Sequence, residues 1–417
     1  MREMISPEEA RQLVLDHVSP LDSEEVPLLE AVGRVAATDI ASDIDVSPFA
    51  HSAMDGFALR ANQLAGASVA SPVTLNVIAE EGAGEVFTGT IGPNECVRIM
   101  TGAPLPSDAD SVVKYEVVTV VDGDGKTGSM VSFDAPIAYR KNVREAGEDA
   151  RAGQRVVAVG DVISSAGVGF LASCGAVSVR TYRRPRVAVI ATGTELVEPT
   201  EVPGPGKIRN SNSYAMAACV QQAGGIPNVL PIVPDSFEAL STAVASACKN
   251  YDLVLTTGGA ANGDYDFIKQ VVADQGDLFM TTVNMRPGKA QTFGLIDGVP
   301  VFGLSGNPAA AYVGFQMLVR PVLRKMQGFS RFEHTCVRAR LSKDVKKKDP
   351  RRIYLRSTIE KDENGYRVTP AGNQSSGLFG VIQRSNCLAI MPEGLESKKA
   401  GDMVECLLLD IPEELVL

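Results

Sequence analysis

The sequence predicts a multidomain protein of the α/β plus β class, with a three-layer α/β domain, a β-rich N-terminal region and a small C-terminal β-barrel. Residues 184–328 alternate apolar strand-like runs with helical periods, which is typical of a parallel sheet covered by helices. Residues 24–183 and 329–417 carry short β-prone runs broken by Gly, Pro and Asp. With 417 residues, of which 45% are hydrophobic, the chain can bury several cores.

The first predicted element is a helix over residues 6–18. Ser6, Pro7 and Glu9 occupy the cap, the first helical position and the third position of a capping box. Short β-prone runs follow from about residue 24, and the Gly- and Asp-rich string at 122–129 predicts the tip of a hairpin. We therefore expect an extended, β-rich region after the first helix.

The α/β region begins with an apolar strand after the charged linker at residue 184. Helices are expected near 210–223, 236–249, 264–274 and 308–327. The strands between them are NVLPIV, YDLVLTT, AQTFGLI and VPVFGL, and Asp297-Gly298 joins the last two as a hairpin. After Gly328 no helical period appears, and alternating apolar and polar residues predict a small barrel or sandwich of about 85 residues.

Composition excludes several classes of function. A net charge of -10, no Trp and no long basic strip with aromatic residues argue against nucleic-acid binding. The charged start and the absence of 18 consecutive apolar residues predict neither a signal peptide nor a membrane span, so a cytoplasmic protein is expected. Seven cysteines without CxxC spacing and three histidines without an HExxH pair favour reduced thiols over a Cys- or His-based metal site.

Residues 254–269, VLTTGGAANGDYDFIK, predict a phosphate site. Gly258 and Gly259 let backbone N–H groups approach a phosphate closely, and the helix start that follows adds partial positive charge. Asp264 and Asp266 would repel a phosphate unless a divalent cation bridges them, so the pattern favours a phosphate together with Mg²⁺. The alternative is that the two carboxylates simply cap the helix.

Two further loops of the α/β region carry groups that attract anions. Arg286 and Lys289 lie three residues apart around a Pro-Gly turn, whereas Ser305 and Asn307 precede a helix that begins at Pro308. Each loop alone could be an ordinary turn. Their coincidence at one sheet edge favours an anion site. A dinucleotide site is not indicated, because no GxGxxG follows the first strand of the α/β region.

The β-rich region holds three unusual strings, SPFAHSAMDGFA, RIMTGAPLP and NVREAGEDARAG. Asp55 and Asp149 are candidate loop carboxylates, and the alternative for Asp55 is an Asx turn. Thr101 could offer a hydroxyl and a backbone N–H to an anion, or could merely end a strand. No Ser-His-Asp or Cys-His arrangement is evident, so covalent catalysis has no candidate residue.

The strings SAMDGFA, IMTGAPLP, NVREAGED, TGTEL, TTGGAANGDYD, RPGK and GLSGNP resemble, in this order, the molybdopterin molybdenumtransferase family, which comprises bacterial MoeA and the E domain of gephyrin. The resemblance covers nearly the whole chain. It implies insertion of molybdenum from molybdate into the dithiolene of adenylylated molybdopterin, with Mg²⁺-dependent cleavage of the pyrophosphate link and release of AMP. It also implies a homodimer in which the MDG loop of one subunit faces the α/β pocket of the other.

Carried over by position, the resemblance implies a catalytic set of acids, Asp55, Asp149, Glu195 and Asp266. Three of these, Asp55, Glu195 and Asp266, would bind the metal. The implied substrate-binding residues are Thr101, Asn212, Asp235, Gly258, Gly259, Arg286, Lys289, Ser305, Asn307, Pro308, Arg351 and Ser376. Candidate protein partners are the molybdopterin adenylyltransferase and molybdoenzymes.

The resemblance also implies a domain plan. Residues 1–23 form a helix packing near the α/β domain, residues 184–328 form a molybdopterin-binding α/β domain, and residues 329–417 form the C-terminal barrel. A linker β domain would combine 24–47 with 146–183 around an inserted β-rich domain at 48–145.

Three single positions and one four-residue string depart from the family pattern. Thr194, Asn210 and Ser305 replace two acids and a proline, and AANG replaces VSVG after the glycine pair. A non-catalytic or tungstate-preferring molybdopterin-binding paralogue is therefore the alternative to a molybdate enzyme. Molybdate and tungstate are tetrahedral dianions of almost equal size, so the sequence leaves that choice open, and it does not name the downstream enzyme.

Overall fold

The computed structural model describes residues 1–258 and 267–409. The chain divides into two compact units, one formed by Met1–Glu24 with Thr181–Leu417 and the other by Glu25–Arg180. The strands Ser23–Pro27 and Ser178–Tyr182 contain the two points of division. The finer domain boundaries expected from the sequence stay predictions.

The first unit contains a six-stranded mixed sheet. Its strand order is Ile226–Val229, Arg186–Ala191, Leu253–Thr257, Val299–Leu304, Ala290–Ile296 and Asp277–Thr282. The first four strands are parallel and the last two are antiparallel to their neighbours. The hairpin expected at Asp297-Gly298 is confirmed, because both residues adopt the positive φ that such a turn requires.

Helices cover both faces of this sheet and give the predicted three layers. One face buries side chains of Pro7–Asp16, of Asn212–Gln222 and of the helix that begins at Pro308. The other face buries side chains of Phe237–Cys248 and Phe267–Gln275. The helix after Pro308 consists of Pro308–Gly314, a π-helical turn and Arg320–Met326. The start of the predicted 264–274 helix lies outside the described residues.

The sequence prediction is confirmed at the first helix and partly wrong at one strand. Ser6 accepts a hydrogen bond from the backbone N–H of Glu9, and the side chain of Glu9 accepts one from the N–H of Ser6. The predicted strand NVLPIV, in contrast, ends at Val229. Pro231 interrupts the remainder because a proline has no backbone N–H for the ladder.

Five strands of the C-terminal region close into a barrel. Around the barrel they are Arg352–Asp362, Gly365–Pro370, Cys336–Leu341, Met403–Leu408 and Cys387–Met391, which pairs again with the first. A short helix, Phe379–Gln383, was not expected after Gly328, because five residues are too few to show a helical period. The short strand Met285–Arg286 runs parallel to Arg352-Ile353 and joins the α/β domain to the barrel.

The second unit is β-rich, as predicted, and centres on a six-stranded sheet. The strand order is Ser111–Lys114, Gly56–Leu59, Glu95–Ile99, Val73–Glu81, Met130–Phe133 and Thr119–Asp122. The hairpin expected at 122–129 joins the last two strands. Shorter pairs and 3₁₀ turns complete the unit: Ile40–Ala41 with Arg155–Val157, His51–Ser52 with Val143–Arg144, and the turns Leu28–Ala31, Ala61–Leu64 and Tyr115–Val117.

One helix of the second unit was missed by the sequence analysis. Ser165–Ser173 is capped by the hydroxyl of Ser164, which accepts a hydrogen bond from the N–H of Gly167. Gly167 and Gly169 lower the helical propensity of this segment, so no clear helical pattern stands out. In the described part of the chain, every helix is too short or too polar to cross a membrane.

Candidate functional site

A cavity of about 1200 Å³ lies in the first unit, where strand ends of the α/β sheet meet the barrel. Thr192, Gly258 and Ser305 line it, and each follows the carboxyl end of a parallel strand. Ligands of open α/β sheets bind outside this edge, where loops and helix starts present backbone N–H groups. The opposite wall comes from the barrel and from residues 343–349.

Close packing of two loops fixes the strand-end wall. Gly258 has a φ of +91°, and a Cβ there would lie 2.1 Å from the carbonyl oxygen of Thr192. Only glycine fits both constraints. The glycine was expected to permit approach of a phosphate, and the structure adds that packing against the neighbouring loop requires it. Gly259, Asp264 and Asp266 lie outside the described residues.

Asp235 and Glu195 supply carboxylates to this wall. Asp235 accepts hydrogen bonds from the hydroxyl of Thr192 at 2.8 Å and from the backbone N–H of Thr194 at 3.3 Å. These bonds fix the orientation of the Asp235 carboxylate. Glu195 is exposed on the same wall.

Of the family departures, Asn210 is explained by its local surroundings and Thr194 is not. Thr194 is exposed, and its backbone carbonyl accepts a hydrogen bond from Lys207. Asn210 is 1% exposed and does not line the cavity. Its side-chain oxygen accepts a hydrogen bond from the N–H of Ser213 at 3.2 Å and so caps the helix Asn212–Gln222. A neutral side chain at this buried position avoids the cost of an isolated charge.

Arg286 and Arg351 share one carboxylate, that of Asp349. Arg351 donates to both oxygens of Asp349, and Arg286 donates to one of them at 3.2 Å. Above all, the hydrogen bond from Arg351 holds the pKa of Asp349 well below its usual range. Asp349 therefore offsets the charge of Arg286 within the protein, so Arg286 does not require a bound anion for this purpose.

The third predicted loop, which contains Ser305 and Asn307, forms hydrogen bonds with the C-terminal region and with the helix Asn212–Gln222. The hydroxyl of Ser305 accepts a hydrogen bond from the N–H of Asn307 at 3.2 Å. Asn212 donates to the carbonyl of Gly306 at 2.8 Å, and Ser376 accepts from the N–H of Ala309 at 2.8 Å. The fold thus brings together segments that are far apart in sequence.

The structure places nine of the predicted residues on the cavity wall: Glu195, Asp235, Gly258, Arg286, Lys289, Ser305, Asn307, Arg351 and Ser376. Asn212 and Pro308 lie beside it without lining it. Sequence reasoning missed Lys343, Lys346, Lys348, Asp349 and Arg356, which also line the wall. The dense cations of KDVKKKDPRR were a visible signal for the lysines, whereas nothing in the sequence marks Arg356 as buried.

The cavity wall is cationic although the chain is acidic. Its cations are Arg286, Lys289, Lys343, Lys346, Lys348, Arg351 and Arg356. Its carboxylates are Glu195, Asp235, Asp344 and Asp349. Local clustering of positive charge attracts anionic ligands whatever the sign of the whole protein. The charge of the wall therefore suits a ligand with several negative groups.

Asp55 and Thr101 meet in the second unit. One carboxylate oxygen of Asp55 accepts hydrogen bonds from both the N–H and the hydroxyl of Thr101, each at 2.7 Å. These bonds, with the backbone bond the stronger cause, lower the pKa of Asp55. The two donors that the sequence analysis offered to an anion are thus used within the protein, and the Asp55 carboxylate forms no Asx turn. Asp149 is exposed in the same unit.

The described part of the chain, up to 258 and from 267 to 409, contains no group of three or more His, Cys, Asp or Glu side chains arranged to hold a metal ion. Mg²⁺ commonly binds through only one or two carboxylates together with substrate phosphates. Glu195 and Asp235 supply hard oxygen ligands beside cations suited to phosphate, so the described residues fit a Mg²⁺–phosphate complex.

Fold and site together define a multidomain protein with a three-layer α/β domain whose cationic cavity is completed by a C-terminal barrel. Comparisons with known proteins identify it further. Residues 5–175 match the MoeA N-terminal region (domain I and II), 188–325 a probable molybdopterin binding domain, and 338–409 the MoeA C-terminal region (domain IV). The chain therefore belongs to the MoeA family.

Curated relatives and solved structures agree with this assignment. A Staphylococcus epidermidis protein named molybdopterin molybdenumtransferase is 34% identical over 100% of this chain and 99% of its own length. A Bacillus subtilis protein of the same name is 36% identical over 93% of this chain and 90% of its own. The crystal structure of MoeA from Pyrococcus horikoshii superposes with a TM-score of 0.82 at 32% identity, covering 97% of this chain and 99% of that one.

Proposed function

We propose that this protein inserts molybdenum from molybdate into adenylylated molybdopterin, with Mg²⁺-dependent release of AMP. It is a transferase of molybdenum cofactor biosynthesis, as its relatives over the full chain are named. The single observation that carries the reaction is the cationic cavity at the strand ends of the molybdopterin binding domain. Molybdate and a pyrophosphate link are both oxyanions, and clustered Arg and Lys are their natural partners.

The charges on the cavity wall support separate roles for its cations, which would bind phosphate, and its carboxylates, which would bind Mg²⁺. Lys289, Lys343, Lys346 and Lys348 offer point charges to phosphate groups, while Ser305 and Asn307 present a loop at a helix start. Glu195 and Asp235 provide oxygen ligands for Mg²⁺ on the same wall. In this proposal Asp266 completes the metal site, and Asp149 acts as a further acid.

The proposal includes a cytoplasmic homodimer. Asp55 and Thr101 belong to a different compact unit from the cavity residues. The family resemblance assigns the MDG loop of one subunit to the pocket of the other, where Asp55 would supply a metal ligand. The molybdopterin adenylyltransferase is then a candidate supplier of the substrate, and molybdoenzymes are candidate acceptors of the product.

The proposal is tested by measuring AMP release from adenylylated molybdopterin with molybdate and Mg²⁺ varied independently. Release that requires both, and that appears together with a molybdenum-loaded pterin, is the expected result. Tight binding of the pterin without AMP release would instead favour a non-catalytic paralogue. The presence of Thr194 in place of a family acid favours this alternative.

The preferred metal is tested by the same assay with tungstate in place of molybdate. A lower half-saturating concentration for tungstate would identify a tungstate-preferring enzyme. Equal binding of both oxyanions, with AMP release only for molybdate, would support the proposed reaction.

A further inference from the structure

The hairpin tip at residues 122–129 lies in the second unit and has no part in the proposed function. Within it Gly125 is buried, although the residues on either side of it are exposed. The carbonyl of Gly125 accepts a hydrogen bond from Nη1 of Arg98 at 2.9 Å. Arg98 lies on the strand Glu95–Ile99, and Thr101 follows two residues after the end of that strand. The tip therefore packs against a strand that leads to a candidate site residue.

The hairpin tip presents its carbonyl to Arg98 from a fixed position. Gly125 has a φ of +82°, and a Cβ there would lie 3.3 Å from Nη1 of Arg98 and 3.4 Å from Cε2 of Tyr115. A glycine suits both the positive φ and this close approach. The buried hydroxyl of Ser129 accepts hydrogen bonds from the N–H of Gly125 at 3.0 Å and from that of Asp124 at 3.1 Å. The guanidinium of Arg98 is thus anchored at one end.

The guanidinium of Arg98 also lies over the ring of Tyr115. Its central carbon is 4.6 Å from the ring centre, a distance at which a cation is attracted to an aromatic face. Tyr115 also stacks on Phe57, with ring centres 5.9 Å apart and an angle of 25° between the planes. Tyr115 is 37% exposed, so burial alone does not fix its ring. Its contacts with Arg98 and Phe57 therefore hold it in place.

Tyr115 in turn holds the backbone of Asp55. The N–H of Tyr115 donates to the carbonyl of Asp55 at 3.0 Å. The carboxylate of Asp55 accepts its two hydrogen bonds from Thr101. The next residue, Gly56, packs so closely that a Cβ there would lie 2.0 Å from the carbonyl oxygen of Val113. Asp55 is therefore held at its carboxylate by Thr101 and at its carbonyl by Tyr115.

We infer that Arg98 is a positioning residue for Asp55 and acts through Tyr115. The inference rests on the proposed function only for the use of Asp55 in the reaction. Arg98 is connected to both supports of the acid, because its strand leads to Thr101 and its guanidinium covers the ring of Tyr115. A carboxylate that is oriented before the substrate arrives needs no reorganisation at the moment of reaction.

The charges around Asp55 give this arrangement a measurable signature. The backbone bond from Thr101 is the main cause that lowers the pKa of Asp55, and the positive charge of Arg98 adds to it. Lys114 and Glu116 lie on the neighbouring strand and on the 3₁₀ turn that follows it. Both keep their charges in every variant below. Loss of Arg98 should therefore raise the pKa of Asp55 toward its ordinary value.

The test uses two variants that break the chain of contacts at different points. Arg98→Gln removes the guanidinium, whereas Tyr115→Leu removes the ring but keeps the backbone N–H. Tyr115→Phe keeps the ring, and Arg155→Gln removes an exposed guanidinium of the same unit that pairs with Asp39 instead, so these two are the matched controls. NMR on the full-length protein follows hydrogen exchange of the amide at position 115 and titration of the Asp55 carboxyl.

Arg98→Gln should speed exchange of the Tyr115 amide by at least about tenfold, because its bond to the Asp55 carbonyl opens more often. Tyr115→Leu should speed exchange at the same position similarly. The double variant should exceed neither single variant by more than about twofold, since both residues act in one chain of contacts. Arg98→Lys, which keeps a cation over the ring, should lie between wild type and Arg98→Gln. The controls should stay within about twofold of wild type.

The two NMR readouts separate positioning from other roles of Arg98. A raised pKa of Asp55 with unchanged amide exchange would overturn the inference, because the charge would then act on the acid directly. Faster exchange with an unchanged titration would also overturn it, as would additive effects in the double variant or equal effects in the controls.

Kinetics then separate the inference from the proposed function. In the AMP-release assay Arg98→Gln should lower kcat by about tenfold, with a smaller change in KM. An unchanged kcat together with both NMR effects would contradict the proposed use of Asp55 and leave its positioning by Arg98 supported. Wild-type protein that releases no AMP, but whose Arg98→Gln variant shows both NMR effects, supports the inference and contradicts the proposed function.

Discussion

Thr101 donates two hydrogen bonds to one oxygen of Asp55, one from its backbone and one from its hydroxyl, each 2.7 Å long. This arrangement fixes a carboxylate on the surface of the second unit and keeps it ionised. No described residue forms a hydrogen bond with the other oxygen of Asp55, which can therefore act as a ligand or a proton acceptor. The relationship makes the threonine a positioning residue for the acid.

Thr101→Val should raise the pKa of Asp55 toward its ordinary value, because the hydroxyl bond is lost while the backbone bond remains. Thr101→Ser keeps the hydroxyl and is the matched control. Carboxyl chemical shifts followed by NMR over a pH titration measure the change. An unaltered titration of Asp55 in the valine variant would show that the hydroxyl bond has no effect in solution.

Asp349→Asn should lower the free energy of unfolding by about 1–3 kcal/mol at neutral pH, because it weakens charge-assisted bonds to Arg286 and Arg351. The pKa of Asp349 is lowered in the folded protein, so its stabilisation is present above the ordinary carboxyl pKa and is lost as pH falls toward the folded value. The free energy of unfolding should therefore fall less for the variant than for wild type between about pH 6 and about pH 3. Denaturant unfolding at the two pH values measures this difference. Equal losses would contradict this assignment.

The local signals in the sequence were sufficient for much of the fold. The capping box at Ser6 and Glu9 and the Asp297-Gly298 hairpin depend on neighbouring residues, and both form as predicted. The helices Ser165–Ser173 and Phe379–Gln383 were missed, since glycines weaken the first and the second is a single turn.

The site was predicted less completely because its partners are distant in sequence. Arg286 reaches Asp349 because the strand Met285–Arg286 pairs with a strand of the barrel. The two residues are 63 positions apart in the sequence. Arg356 follows Leu355 on a strand, and alternation alone would place it outside. Its burial depends on the loop that contains Gln374, which no local pattern reveals.

Gly258→Ala should destabilise the protein by more than the roughly 1–3 kcal/mol expected from its strained φ alone, because the new Cβ would also collide with the carbonyl of Thr192. Gly204 offers a control, since a Cβ there meets no atom within 4 Å. Gly204→Ala should change the melting temperature little. If the two alanine variants melt alike, the close contact between the loops does not persist in solution.

Thr194→Asp should tighten Mg²⁺ binding without altering the dependence on molybdate. The position is exposed on the loop that also carries Glu195, so an added carboxylate costs little and strengthens the field for a divalent cation. Asn210→Asp places the same acid at a buried helix cap and should lower stability instead, because its charge would be desolvated. Titrating Mg²⁺ at saturating molybdate in the AMP-release assay measures the first effect, and thermal unfolding measures the second. A Thr194→Asp variant whose half-saturating Mg²⁺ concentration equals that of wild type would show that this loop lies too far from the bound cation to influence it.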